Sequence, residues 1–309
     1  MPELFKKNLL STQDLNSSQI QEVLATAKKM LPYARKEKTS KILEGKVLAA
    51  LFYEPSTRTR LSFETAMLRL GGEVISAVGM ETSSLVKGET LADTGKVVEN
   101  FADIIAMRHP QPGSVRELST NCKIPVINAG DGSGEHPTQA LLDLFTIIQE
   151  HGTIDGLTIA LVGDLRFGRT VHSLCYLFSN FNVKLILVSP DRLRMPAEVV
   201  DYLRTKKITF EETEKLETAL QQAQVLYSTR VQKERFDDLK EYEKFKHYYV
   251  LTRALIEKYN PKLTIMHPLP RIGEINEDVD GLPGAAYFRQ VQNGVAVRMA
   301  LLSLILGVE

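Results

Sequence analysis

The chain has 309 residues, 43% hydrophobic and 25% charged, enough for a large core and for more than one typical domain. Lys plus Arg and Asp plus Glu stand at 38 each, which excludes an overall field favouring nucleic acid or an anionic membrane; any anion site must be local. Only Cys122 and Cys175 occur, far apart and without a Cys-x-x-Cys pair, so neither a disulfide framework nor a zinc cluster is indicated, no metal or cofactor is expected, and a reducing cytoplasm fits best. Met1 to Lys7 lacks a signal-peptide core and the longest apolar run, near Ala300 to Leu306, is too short to span a bilayer, so a soluble protein is expected.

In chain order, Asn16-Ser17-Ser18 precedes Ile20, Val23, Leu24, Ala27 and Leu31, the pattern of a capped helix with one apolar stripe. Lys46 to Tyr53 is apolar after its first residue and ends where Pro55 breaks pairing, which predicts a buried strand. Phe63, Ala66, Met67 and Leu70 then fall at i, i+3, i+4 and i+7 before Gly71-Gly72, which predicts an amphipathic helix with a glycine stop. Between strand and helix lies Glu54-Pro55-Ser56-Thr57-Arg58-Thr59-Arg60. Hydroxyls, guanidinium forks and the unpaired N–H groups of a helix start are a phosphate-binding set. The plain alternative is an ordinary cap by Ser56 or Thr57 followed by solvated arginines. A P-loop is excluded because Gly-x-x-x-x-Gly-Lys is absent.

Further strands are predicted at Glu73 to Val78, Ala102 to Met107 and Lys123 to Asn128, separated by helix-compatible segments, hence a parallel sheet. Gly79 to Thr90 reads as a loop before a helix beginning near Leu91, with Ser83 and Lys87 as candidate binding groups or plain surface residues. Arg108 falls at the carboxyl edge of a strand, where ligands of α/β proteins collect. A glycine-rich turn from Ala129 to Glu135 feeds a helix whose first turn offers His136 and Gln139 on one face. A bridging helix from Pro137 to about Glu150 leads to a second β-α series with strands at Leu157 to Val162, Val183 to Val188, Ile208 to Glu211, Val225 to Thr229 and Leu263 to Met266.

In that second half Gly-x-Gly-x-x-Gly is missing after Gly163-Asp164, so a dinucleotide is not expected. Arg169 near a helix start and Arg230 after a strand suit a ligand with carboxylates, or are surface ion pairs. His267-Pro268-Leu269-Pro270-Arg271 predicts a rigid turn able to aim a carbonyl at a ligand. Glu274, Glu277, Asp278 and Asp280 lack calcium-loop spacing and read as a solvated acidic turn. A last helix from about Ala285, with Val297, Ala300, Leu301 and Leu304 on an apolar face, must dock on the core.

Ser56-Thr57-Arg58-Thr59-Arg60, Arg108-His109-Pro110, His136-Pro137-Thr138-Gln139, Gly168-Arg169-Thr170, Arg230-Val231-Gln232 and His267-Pro268-Leu269-Pro270-Arg271, all in order, resemble the aspartate carbamoyltransferase family of catalytic chains over essentially the whole length. The resemblance implies an α/β fold of two domains, each a parallel β-sheet flanked by helices. Residues 1–136 would bind carbamoyl phosphate and 137–289 aspartate, with 137–150 as the bridging helix and the C-terminal helix, 290–309, docking back on the first domain.

It further implies attack of the L-aspartate amine on carbamoyl phosphate, giving N-carbamoyl-L-aspartate and phosphate for pyrimidine biosynthesis, without metal or covalent intermediate. By resemblance Ser56, Thr57, Arg58 and Thr59 hold the phosphate, Arg108, His136 and Gln139 contact the carbamoyl group, and Ser83, Pro268 and Leu269 complete that substrate's site. Arg169, Arg230, Gln232, Lys87 and the Leu269 carbonyl would bind aspartate. Arg58, Thr59, Arg108, His136, Gln139 and Lys87 would be the catalytic set, with Ser83 and Lys87 reaching into a neighbour's site in a homotrimer that can also carry regulatory chains. Sister ornithine enzymes share the first and third motifs but usually have His-Cys-Leu-Pro where this chain has His267-Pro268-Leu269-Pro270. An ornithine or other carbamoyltransferase, and a non-catalytic scaffold of the same fold, remain the alternatives.

Overall fold

The computed structural model describes residues 1–80, 84–233, 236 and 238–308, with the side chains of Leu85, Leu239 and Glu241 outside that description. Two compact units divide the chain: Met1–Phe145 with Val291–Glu309, and Thr146–Gln290.

Unit 1 holds a parallel sheet ordered β2-β1-β3-β4, from β1 (Val47–Phe52), β2 (Glu73–Val78), β3 (Ile104–His109) and β4 (Val126–Asp131). β1 and β3 are central and buried, as expected of unbroken apolar runs covered on both faces. Helices α1 (Ser17–Ala34), α2 (Thr57–Arg69), α3 (Leu91–Val98) and α4 (Ser114–Thr120) accompany these strands. Asn16 caps α1 in a reciprocal box with Gln19. α2 buries Phe63, Ala66 and Met67, and the chain turns after it through Gly71 at φ +85. β4 begins three residues later than the sequence pattern predicts, because Pro125 lacks the N–H a ladder needs. β3 runs two residues further than predicted and so contains Arg108.

Unit 2 holds a parallel sheet ordered β7-β6-β5-β8-β9. Its strands are β5 (Thr158–Val162), β6 (Lys184–Val188), β7 (Thr209–Thr213), β8 (Val225–Ser228) and β9 (Thr264–Met266). Its helices include α6 (Arg169–Phe178), α7 (Ala197–Thr205), α8 (Leu216–Gln222), α9 (Leu239–Phe245) and α10 (Arg253–Tyr259). Ala160, Val162, Ile186, Leu226 and Ile265 line one core face with Leu220, Leu251, Ile256 and Tyr287.

The expected bridging helix is α5 (Pro137–His151), and the compact division falls inside it. The last helix, α11 (Tyr287–Leu306), begins two residues later than the pattern predicts. From Val291 on it belongs to unit 1, where Ile305 accepts a hydrogen bond from Lys6 N at 2.9 Å and Arg298 lies over the Phe63 ring at 5.1 Å. Docking of the C-terminal helix on the first domain is thus as expected. Among the described residues no helix is long and apolar enough to cross a membrane.

Gly163, just past β5, combines φ +117 with a close approach: a Cβ there would stand 2.3 Å from the Thr229 carbonyl oxygen. That oxygen is backbone and cannot swing away. Gly163→Ala should therefore lower stability by about 1–3 kcal/mol, read as a lower urea midpoint at unchanged m.

Candidate functional site

In unit 1 the predicted residues converge on the carboxyl edge of the sheet. Phe52 at the end of β1 is in register with Arg108 of β3, which pairs in turn with β4, and α2 starts five residues after β1 closes. Ser56 occupies the cap position of α2 yet makes no side-chain capping bond. The plain capping role is thereby excluded for Ser56, and the helix start retains N–H groups and dipole for an anion. Thr57 and Arg58 are exposed on that first turn, whereas Thr59 is buried with Oγ1 3.5 Å from His136 Nε2.

Arg108 is half-buried. Its Nε donates to Glu54 Oε2 at 2.9 Å, and it lies so close over Gly130 that a Cβ there would meet its Nη1 at 3.2 Å. Glu54 holds the fork in place, and Gly130 at φ +128 lets the backbone pass beneath it. His136 immediately precedes α5, is buried, and its carbonyl receives Gln139 N at 3.0 Å. Glu135 anchors this turn by accepting from Ser11 Oγ, from Thr12 N at 3.0 Å and from Thr12 Oγ1 at 2.7 Å. Gln139 is half-buried and donates Nε2 to Asp143 at 2.8 Å. This edge gathers two guanidinium groups, hydroxyls and an imidazole around an open helix start, which suits a phosphate with an adjoining polar carbonyl group.

The loop after β2 is part helix: Ser84–Lys87 forms one 3-10 turn that ends in exposed Lys87. Ser83 lies outside the described residues.

In unit 2 the carboxyl ends of adjacent strands β5, β8 and β9 lead into the segments carrying Arg169, Arg230–Gln232 and Pro268–Leu269. Arg169 opens α6 and, like Arg230, is half-buried. Gln232 Nε2 donates to the Phe167 carbonyl at 2.7 Å, tying the two arginine-bearing loops together. Behind both lies Asp164, wholly buried, accepting from Phe167 N at 2.9 Å and from Gln232 N at 3.3 Å. Burial pushes its carboxyl up to about 6, against the opposing pull of the Phe167, Gln232 and Arg166 amides and of Arg230.

The turn after β9 has its own clamp. Leu269 N donates to His267 Nδ1 at 2.8 Å, so that nitrogen carries no proton and Nε2–H donates to Glu274 Oε1 at 2.6 Å. Glu274 Oε2 accepts from Ile272 N at 2.9 Å, and Leu269 is held at φ +51.

The reading of Glu274 as part of a solvated acidic turn is corrected here, whereas Asp280 is exposed as that reading expects. Glu274 is buried, and Asp280 binds Arg271 Nη2 at 2.7 Å and also Tyr287. Alternation at the sequence level gives no sign of this, because His267 and Glu274 meet only through the turn between them. Glu54, Asp143 and Asp164 were likewise missed as partners of predicted residues. Their one signal is spacing: Asp143 stands four residues after Gln139 on a helix, and Asp164 follows a strand. Among the described residues no group of His, Cys, Asp or Glu is placed to hold a metal ion.

Two doubly flanked parallel sheets, each with cationic and hydroxyl-bearing turns at its carboxyl edge, define a two-unit α/β protein built for small anionic ligands. Residues 7–149 match the aspartate/ornithine carbamoyltransferase carbamoyl-phosphate-binding domain and residues 155–305 the Asp/Orn-binding domain, so the chain belongs to the aspartate/ornithine carbamoyltransferase family. It is 53% identical over 297 residues to the aspartate carbamoyltransferase catalytic subunit of Methanocaldococcus jannaschii, covering 96% of each chain. With that of Leptospira biflexa it is 51% identical, covering 98% of this chain and 97% of the other. A Trypanosoma cruzi aspartate transcarbamoylase structure in complex with carbamoyl phosphate and aspartate superposes with TM-score 0.93 at 40% identity, covering 99% of this chain and 98% of that one.

The two buried carboxylates of unit 2 respond to pH with opposite sign. Burial alone would raise Glu274, but the bonds from His267 and Ile272 outweigh it and its folded value is lowered. Its contribution is therefore present above the unfolded value near 4.5 and lost as pH falls through the lowered folded one. Asp164 is raised, so its contribution is full below the unfolded value near 3.8 and lost as pH rises through about 6. Glu274→Ala should cost about 2–4 kcal/mol at pH 7, since the buried His267 imidazole and the Ile272 backbone N–H lose their acceptor. The difference from wild type should shrink as acid protonates Glu274, measured by urea unfolding from pH 7 to pH 3.

Proposed function

We propose that this chain catalyses carbamoyl transfer from carbamoyl phosphate to L-aspartate, giving N-carbamoyl-L-aspartate and phosphate. The observation that carries the choice of aspartate is the pairing of Arg169 and Arg230 on two loops bound together by Gln232 and Asp164. Two cations at one sheet edge match two carboxylates and repel a second ammonium, which argues against ornithine. The relatives at about half identity bear the same name over nearly the full chain, which supports the same reading. Turnover of the purified protein with carbamoyl phosphate, measured side by side with aspartate and ornithine, tests it. Transfer to ornithine alone would overturn it.

In this reading Ser56, Thr57, Arg58 and Thr59 hold the phosphate. Arg108, held by Glu54, and His136, against Thr59, face charge that develops on the carbonyl oxygen as the amine attacks. Arg169, Arg230 and Gln232 bind the aspartate carboxylates, and the clamped Pro268–Leu269 turn presents a carbonyl to the amine. The product would feed pyrimidine biosynthesis, and the free thiols of Cys122 and Cys175 suit a cytoplasmic setting.

Arg58→Ala should lower kcat by about 10²- to 10³-fold with the fold retained, read from turnover alongside circular dichroism. Arg230→Ala should raise KM for aspartate by at least about 30-fold, the loss of one partner of a charge pair, with KM for carbamoyl phosphate within about threefold of wild type.

We further propose a homotrimer in which Lys87 serves a neighbouring subunit's site. Support comes from the open edge of the unit 1 sheet, where β2 exposes Ile75 and Val78, followed by exposed Met80 and Val86. Arg58→Ala and Lys87→Ala chains, unfolded together and refolded, should recover about a quarter of wild-type activity under random mixing in closed rings. Each alone should remain nearly inactive. Folded mixed trimers without that gain would return Lys87 to the surface.

A further inference from the structure

Gln139 and Asp143 lie one turn apart on α5, the first half-buried and the second fully buried. The Gln139 amide donates Nε2 to Asp143 Oδ1 at 2.8 Å. A carboxylate only accepts, so the NH2 group must be the end turned inward and the amide oxygen Oε1 the end turned the other way. The buried guanidinium of Arg298 lies near enough to Asp143 for the two charges to interact. Arg298 is itself fixed, with Nη1 2.9 Å from Ser62 Oγ, Nη2 3.3 Å from Thr138 Oγ1 and the Phe63 ring beneath. Ser62 lies on the helix that opens with Thr57 and Arg58, and Thr138 adjoins Gln139, so one cation braces both arms of the unit 1 edge.

We propose that Asp143 is a positioning residue that fixes Gln139 as a hydrogen-bond acceptor, so that the site selects a transferred acyl group bearing N–H bonds, carbamoyl, over the isosteric acetyl group. The proposal rests on the reading of unit 1 as the carbamoyl-phosphate site. In either transfer the C–N bond forms to the acceptor amine while the C–O bond to phosphate breaks. Phosphate leaves with that electron pair and one amine proton passes to phosphate or solvent. The two reactions differ in one group: carbamoyl NH2 can donate to Oε1, whereas the acetyl methyl leaves that oxygen desolvated and unpaired. An unmet acceptor of this kind is worth about 10- to 100-fold in selectivity.

The test is the ratio of kcat/KM for carbamoyl phosphate to that for acetyl phosphate, from aspartate-dependent phosphate release by the full-length enzyme. Wild type should favour carbamoyl phosphate by at least about tenfold. Asp143→Asn keeps the volume and so the fold. Its oxygen is drawn to the Arg298 cation and its NH2 is left for Gln139, whose amide must then turn round. The ratio should fall by about tenfold, chiefly through loss on carbamoyl phosphate. Asp143→Leu paired with Arg298→Met removes acceptor and cation together and should lower it likewise. A wild-type ratio near one overturns the proposal. So does a folded variant that keeps the wild-type ratio, or an equal fall on both phosphates, which marks a merely structural role. Absence of wild-type turnover with carbamoyl phosphate would instead overturn the function from which the proposal starts.

Discussion

A guanidinium buried to 3% exposure is the constraint around which unit 1 is arranged. Desolvation lowers Arg298 to about 10, offset in part by Asp143, yet it stays cationic at neutral pH. A buried cation costs several kcal/mol unless its donors are met, and here the two terminal nitrogens are met from two helices at once while Nε is left without an acceptor. Ser62 and Thr138 accept from its two terminal nitrogens, and the Gly294 carbonyl of its own helix accepts at 3.3 Å. A hydrophobic residue at 298 would serve packing equally well. Only a forked donor also sets the relative register of α2, α5 and α11, and that register decides where Thr59, His136 and Gln139 stand.

Unit 2 solves the same problem with anions. Asp164 and Glu274 each sit behind a turn, accept backbone N–H groups from it, and so give shape to segments with little regular structure of their own. The opposite directions of their shifts follow from how completely each is compensated. Glu274 has a hydrogen bond from His267 as well as amides, whereas Asp164 has amides and the charge of Arg230. The charge of Asp164 is thus the costlier to keep. It is spent at the point where the loops of Arg169 and Arg230 meet, where a positive field without a counter-charge would repel itself.

Much of this was legible in the sequence, and the parts that were not share a cause. β1, α2, α5 and the alternation of the second half follow from local periodicity, so their positions agree with the pattern to within a few residues. Ends moved where one residue overrode the pattern, as Pro125 does for β4. The residues carrying cation and hydroxyl groups were legible because they follow strand ends, and parallel strands deliver their carboxyl ends to one edge. Their supports were not. Glu54 reads as a loop acid until β3 brings Arg108 beside it, and Glu274 as a solvated one until the turn folds back on His267.

Those supports explain how a chain of balanced charge can present local positive sites. At the unit 1 edge Arg108 leans on Glu54 and Arg60 stands near Glu64, while Arg58 is exposed on the first turn of α2. The carboxylates lie to the side of or behind the donors, so they hold geometry without occupying the face an anion would take. Preorganisation of this kind keeps the donors from collapsing onto solvent or each other before a ligand arrives, which is the condition for dipoles and charges to favour a transition state over a ground state. Neutrality of the whole chain and strong local recognition are therefore compatible, because a cation such as Arg108 is held by a fixed carboxylate beside it.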